Sequence, residues 1–177
     1  MRKLSMEELN RKSVEEFHEA PKIPVIVVLE NIRSMHNVGS VFRTADAFLI
    51  EAIYICGYTA QPPRKEIDKT ALGATETVAW KYFLTTSDAI QELNAQKYAV
   101  YAIEQAAESI SLKNVQDFTA EKIALIFGNE VSGVEQDSIS SCQGCIEIPQ
   151  YGMKHSLNIA VAAGIVLWEF AKKFSLK

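Results

Sequence analysis

Three stretches of this 177-residue chain carry the side chains that chemistry would need: Asn37-Val38-Gly39-Ser40-Val41-Phe42-Arg43, Phe127-Gly128-Asn129-Glu130-Val131-Ser132-Gly133, and Ile148-Pro149 followed by Ser156-Leu157-Asn158. In the first, a 3.6-residue period puts Val41, Ala45, Phe48 and Leu49 on one side of a helix and Arg43 nearly opposite, with Gly39 one turn below it. Arg43 is thereby displayed away from the core. Taken alone it reads as a surface ion-pair residue. Asn37 is placed to cap the helix, and Gly39 removes a side chain where another backbone, a substrate or a cofactor approaches. In the second stretch Gly128 and Gly133 have the spacing of a phosphate loop. Val134 and Glu135 stand where Lys and Ser or Thr would be needed, which argues against a nucleoside-triphosphate site. Glu130 is suited to holding a helix N-terminus or neighbouring amides. In the third, Ser156 and Asn158 precede the apolar run Ile159 to Trp168; one of the two is needed as its N-cap, and the other is available for a ligand. His36 and His155 flank these residues and read as structural or peripheral.

The elements that must position these residues follow from hydrophobic patterning. Val25 to Leu29 is a continuous β-branched and apolar run, as in a strand buried on both faces. Similar runs recur at Ala52 to Cys56, Tyr98 to Ile103, Ile123 to Phe127 and Cys145 to Ile148. Helical patterns lie between them at Val38 to Leu49, Ser87 to Gln96 and Asn158 to Phe174. The alternation predicts an α/β fold with a mainly parallel sheet flanked by helices. Each polar turn follows a short hydrophobic segment, so the three are expected at one edge of that sheet, where open α/β sheets bind ligands. Residues 5–18 predict an N-terminal helix, ended by Pro21 and Pro24. Residues 57–76, punctuated by Gly57, Pro62, Pro63 and Gly73, predict a long functional or mobile loop. The run Ile159 to Trp168 is apolar around its circumference, so it must be covered on every side, by the core or by another subunit.

Length and 48% apolar composition fit a single domain, residues 1–177, with residues 1–22 as a helical extension. No run reaches membrane-spanning length, and Met1 to Glu8 lacks a signal peptide's hydrophobic region, so a cytoplasmic protein is expected. Cys56, Cys142 and Cys145 predict reduced thiols; Cys142-Gln143-Gly144-Cys145 has the spacing of half a zinc site without the other half, so no metal is expected. A net charge of −4 argues against gripping nucleic acid through bulk electrostatics. Basic residues such as Arg11, Lys12, Arg33, Arg64, Lys65 and Lys69 are interspersed with acidic ones. Any nucleic-acid binding is expected to be local and salt-sensitive, or assisted by a partner.

The three stretches, in this order, resemble the motifs of the SpoU (TrmH) family of RNA ribose 2′-O-methyltransferases, part of the SPOUT group. The resemblance runs over roughly residues 24–172 and rests on Asn37, Gly39 and Arg43; on Phe127, Gly128, Glu130 and Gly133; and on Ile148, Pro149, Ser156, Leu157 and Asn158. It implies a SPOUT-type fold with a deep C-terminal trefoil knot, a homodimer whose site is completed across the interface, and transfer of a methyl group from S-adenosyl-L-methionine to a ribose 2′-hydroxyl of tRNA or rRNA. It implies catalytic roles for Arg43, Asn37, Glu130, Ser156 and Asn158, and cofactor binding by Ile103, Glu104, Phe127, Gly128, Asn129, Ile148, Pro149, Met153, Ser156 and Leu157. An arginine is protonated at any relevant pH, so Arg43 would stabilise an alkoxide or position a phosphate rather than abstract a proton. Two alternatives stay open: a SPOUT-type methyltransferase acting on a base nitrogen, and a non-catalytic RNA-binding or assembly factor.

Overall fold

The computed structural model describes residues 1–5, 8, 9, 11–153 and 156–175. Seven strands form one parallel sheet in the order β3-β2-β1-β6-β4-β7-β5, with β1 Ile23–Glu30, β2 Ile50–Cys56, β3 Ala79–Phe83, β4 Ala99–Ile103, β5 Ile110–Ser111, β6 Ile123–Phe127 and β7 Gly144–Glu147. β1 and β6 lie at the centre, paired from Val25↔Ile123 to Leu29↔Phe127. Their side chains alternate between two cores. Val25, Val27 and Leu29 join α2 (Met35–Ala47) and α7 (Ile159–Ser175) on one face, together with Ile67 and Ala71 of α3 (Lys65–Ala71) and Ala74 of α4 (Ala74–Thr77). Ile26 and Val28 join α5 (Thr86–Ala95) on the other, with Ile139 of α6 (Gln136–Ser141) packed against that cluster. The absence of a polar side on the central strands is thus what burial on two faces demands.

Several expected boundaries shift, each for a local reason. The N-terminal helix, α1, occupies only Val14–Glu19, because Ser13 and Glu16 form a capping box that starts it there. α2 begins at Met35 rather than Val38, since Ser34 is the N-cap and its hydroxyl accepts from the Asn37 amide at 3.3 Å. Asn37 is therefore inside the helix and does not cap it. Phe48 and Leu49 fall outside α2: Phe48 is the C-cap and Leu49 takes a left-handed φ of 53°. The edge strand β3, with an exposed Trp80 and Lys81, and the short helix α6 carry too little apolar periodicity to announce themselves. Residues 57–76, expected as a loop, contain α3, which packs on α2 so closely that a Cβ on Gly39 would stand 2.2 Å from the Ile67 carbonyl oxygen. The approaching group at Gly39 is thus a backbone of the chain itself.

Candidate active site

The strand topology brings the loops after β1, β4, β6 and β7 to one end of the sheet. The loop after β6 is the hub. Asn129 and Gly133 close it with paired backbone hydrogen bonds of 3.0 and 2.9 Å, and Gly133 takes a φ of 71° that a side chain would strain. A Cβ on Gly128 would stand 2.2 Å from the Gly133 carbonyl carbon, so both glycines are required by the loop's own compactness. Asn129, only 8% exposed, accepts from the amides of Val131 (2.8 Å) and Ser132 (3.2 Å) and donates to the Asn31 carbonyl and the Tyr58 hydroxyl, both at 2.7 Å. Its side chain is engaged in scaffolding.

Glu130 reaches across to α2. Its carboxylate accepts from the Arg33 amide, the Ser34 amide and the Asn37 side-chain amide, all at 3.0 Å. These donors lie at the start of a helix, where an anion is favoured. Partial burial acts to raise the Glu130 pKa, but the Arg33 amide and the Asn37 side chain, with smaller help from Ser34, outweigh it and hold the carboxyl below its ordinary value. Asn37 in turn accepts from Asn158 Nδ2 at 3.2 Å, and Asn158 Oδ1 accepts from the Ala160 amide at 2.9 Å, capping α7. One chain of hydrogen bonds therefore links all three motif stretches: Glu130 to Asn37 to Asn158. Of the pair before α7, Asn158 is the cap, and the exposed Ser156 is the one left toward the cavity.

A cavity of about 530 Å³ opens beside this chain of bonds, within the range of small-molecule and cofactor sites. Its apolar wall is Ile103, Phe127, Ile146, Ile148, Leu157 and Ala162, and its polar groups include Glu104, Gly128, Glu130, Ser156 and Asn158. Glu104 also braces the hub loop, accepting from the Gln105 amide at 2.8 Å and the Val134 amide at 3.2 Å. Ile103, Glu104, Phe127, Gly128, Asn129, Ile148, Ser156 and Leu157 all line the cavity, as do Glu130, Ser156 and Asn158 of the proposed catalytic set. Pro149 and Met153 do not line it, and Met153 is 83% exposed. Arg43 does not line it either: six residues beyond Asn37 on α2, it is exposed, with no hydrogen-bond or ion-pair partner among the described residues. His36 is exposed and contributes its carbonyl to the Thr70 hydroxyl, whereas Lys154 and His155 lie outside the described residues.

Sequence reasoning missed three supports. Glu30, fully buried at the end of β1, accepts from the Glu135 amide at 2.7 Å and from the Ser138 hydroxyl, fixing the far side of the hub loop. Its signal was a carboxylate closing an otherwise apolar run. Asn31, with φ 54°, donates to Glu135 at 2.6 Å and accepts from the Tyr58 amide at 3.2 Å. Tyr58 completes the group through Asn129. Burial pushes the Cys142 thiol up to about 12, with Cys145 and Glu30 adding to the shift.

The model of the SpoU rRNA Methylase family matches residues 24–168. The tRNA (guanosine(18)-2′-O)-methyltransferase of Aquifex aeolicus is 30% identical over 162 residues, covering 89% of this chain and 74% of that protein. Its Thermus thermophilus counterpart is 29% identical, with 92% and 81% covered. Among solved structures, the A. aeolicus TrmH/SpoU tRNA modifying enzyme superposes with a TM-score of 0.81 at 26% identity, over 92% of this chain and 81% of that one. The AdoMet-bound rRNA methyltransferase of Sinorhizobium meliloti superposes with a TM-score of 0.79 at 28% identity; the alignment takes in 86% of this chain but spans only 57% of that structure. With a parallel sheet of this topology, the three motifs joined by hydrogen bonds beside one cavity, and a family match across most of its length, the chain belongs to the SpoU rRNA Methylase family.

Proposed function

We propose that this chain transfers the methyl group of S-adenosyl-L-methionine to a ribose 2′-hydroxyl of tRNA or rRNA. The observation that carries this reading is the Glu130–Asn37–Asn158 relay on the rim of the cavity at the strand carboxyl ends, in a chain of the SpoU family. The cavity suits a nucleoside-bearing cofactor: apolar walls for a flat base, the Gly128 residue in its lining, and the carboxylate of Glu104. Ile103, Phe127, Gly128, Ile148 and Leu157 would hold the cofactor, with Pro149 and Met153 at its margin. When bound, it supplies an electrophilic methyl group on a sulfonium.

The chain's own residues would then align the acceptor and favour loss of its proton. Asn37 and Asn158 present amide groups fixed by Glu130 and by the first turn of α7, so they orient a ribose without reorganising. Ser156 adds a hydroxyl toward the same space. Glu130 acts by position, because three donors already occupy its carboxylate and a lowered pKa makes it a poor base. Arg43 stabilises the developing alkoxide or the adjacent phosphate.

The same reading includes a homodimer and the trefoil knot. α7 buries Ala163, Val166, Leu167 and Phe170 but leaves Val161 52%, Ile165 38% and Trp168 53% exposed, a stripe at helical spacing that asks for cover. In a dimer whose site is completed across the interface, Arg43, which is exposed and does not line its own chain's cavity, would serve the partner's. For the knot, the support is a chain that leaves β7, returns across the cavity at the ends of β4 and β6, and only then enters α7 on the face of β1.

The test is labelled methyl transfer from S-adenosylmethionine to RNA of a deletion strain, with calorimetry of the cofactor alone. We expect saturable cofactor binding and a 2′-O-methylated nucleoside on digestion. A methylated base nitrogen in its place would favour the base-modifying alternative. Cofactor binding without transfer to any cellular RNA would favour the assembly factor, and absence of binding at millimolar cofactor would remove the enzyme altogether.

A further inference from the structure

Tyr58 is 64% exposed, yet it is held at both ends. Its backbone amide donates to Asn31 Oδ1 at 3.2 Å, and its hydroxyl accepts from the buried Asn129 side chain at 2.7 Å. The residue after it, Thr59, is buried; its hydroxyl donates to the Leu29 carbonyl at 3.1 Å and accepts from the Ile32 amide at 2.8 Å. On its other flank, the Gly57 carbonyl accepts from the Tyr82 hydroxyl at 3.0 Å. A surface aromatic serving only solubility has no need of such restraint. Here the ring is presented rigidly at the carboxyl end of β2, tied by its tip to the loop that lines the cavity.

The connections after β1 and β2 each carry an arginine. Arg33 follows Asn31 by two residues, and Arg64 stands at the N-cap of α3, six residues beyond Tyr58; both are exposed, and neither guanidinium has a hydrogen-bond or ion-pair partner among the described residues. The acidic groups beside Arg33 are already engaged: Glu130 by the Arg33 and Ser34 amides and the Asn37 side chain at 3.0 Å, and Glu135 by Asn31 at 2.6 Å. A fixed, exposed aromatic ring whose own loop ends in one unpaired arginine, and whose amide is held by the loop that carries a second, suits an unpaired nucleobase with its phosphates: stacking on the ring, ionic contact from the neighbouring loops. Because the ring is already immobile, little ordering cost is left for binding.

We propose that Tyr58 is the stacking platform for an unpaired base of the substrate RNA near the ribose that enters the cavity, with Arg33 and Arg64 gripping the phosphates around it. This rests on the reading of the chain as an RNA methyltransferase, and it gives a protein of net negative charge a local means of holding RNA.

The experiment compares wild type, Tyr58→Ala and Tyr58→Phe for binding of RNA purified from the deletion strain, for cofactor binding by calorimetry, and for thermal midpoint. Phenylalanine keeps the ring and removes only the hydroxyl, and Asn129 retains its bond to the Asn31 carbonyl. Tyr58→Ala is expected to bind RNA on the order of tenfold more weakly with cofactor affinity unchanged, and Tyr58→Phe to stay close to wild type. Equal RNA affinity of wild type and Tyr58→Ala overturns the proposal. So does a Tyr58→Phe variant as impaired as Tyr58→Ala with cofactor affinity lost in both, since Tyr58 would then act only as a prop for Asn129. RNA binding that follows this pattern without methyl transfer by the wild type would sink the enzymatic reading and leave the platform standing; a wild type with neither would sink both.

Discussion

The carboxylate of Glu130 accepts all three of its hydrogen bonds from one five-residue stretch, Arg33 to Asn37, and this decides what it contributes. It joins the hub loop to the start of α2 and orients Asn37, whose other end meets Asn158. The folded pKa is depressed, so the stability it supplies is fully present above the unfolded glutamate pKa and is lost as pH falls through the lower folded value. Glu130→Gln should therefore lower the thermal midpoint at neutral pH, and the gap from wild type should close as pH drops below the ordinary glutamate range. Melting curves from pH 7 to pH 3 check this; a gap that does not change with pH would mean that the charge on Glu130 is irrelevant to the fold. The motif residues were legible in the sequence because each has an unusual type for its place: a carboxylate and two glycines after an apolar strand, two polar residues before an apolar helix. Glu30, Asn31 and Tyr58 were not, because their roles arise from contacts across 27 to 108 residues of chain that no local spacing encodes.

At the scale of elements, burial explains which parts could be read in advance. β1, β2, β4 and β6 are buried through most of their length and appear as unbroken apolar runs, whereas β3 is exposed through Ala79, Trp80 and Lys81 and has no such run. The start of α2 was misjudged for a related reason: Ser34 and Asn37 are both good caps by type, and only the position of Glu130 across the sheet end determines that Asn37 turns outward to other partners. α7 shows the same division within one helix. Its apolar circumference separates into a core face, where Phe170 is fully buried and meets Phe118 edge-on at 6.2 Å, and an outer stripe ending at Trp168, which rests on Phe48 at 5.8 Å. Phe170→Ala should cost about 3–5 kcal/mol of stability, the usual penalty for emptying a buried aromatic site. Trp168→Ala should cost much less in the isolated protomer because half of that side chain is already in water. Chemical denaturation of the two variants at concentrations low enough to disfavour association separates these effects; equal losses would mean that the two faces of α7 do not differ in this way.

For the whole molecule the unresolved demand is Arg43. About 9 Å along the α2 axis from Asn37 and absent from the cavity's lining, its side chain has no partner among the described residues. The proposed two-fold dimer through the α7 stripe would answer that demand and cover Val161, Ile165 and Trp168 together, because an isologous interface places the same pair of contacts twice. Light scattering at micromolar concentration should accordingly give twice the protomer mass. Arg43→Ala should fold, associate and bind cofactor as wild type does while losing roughly a hundredfold in methyl transfer, the scale of one transition-state donor. The decisive measurement mixes Arg43→Ala with Asn158→Ala after full subunit exchange. If Arg43 acts in its partner's cavity, each mixed dimer holds one site with both residues intact, and the equimolar mixture should recover about a quarter of wild-type activity, since about half of the dimers are mixed and half of their sites are whole. If Arg43 acts within its own protomer, every site in the mixture lacks one residue and no activity returns.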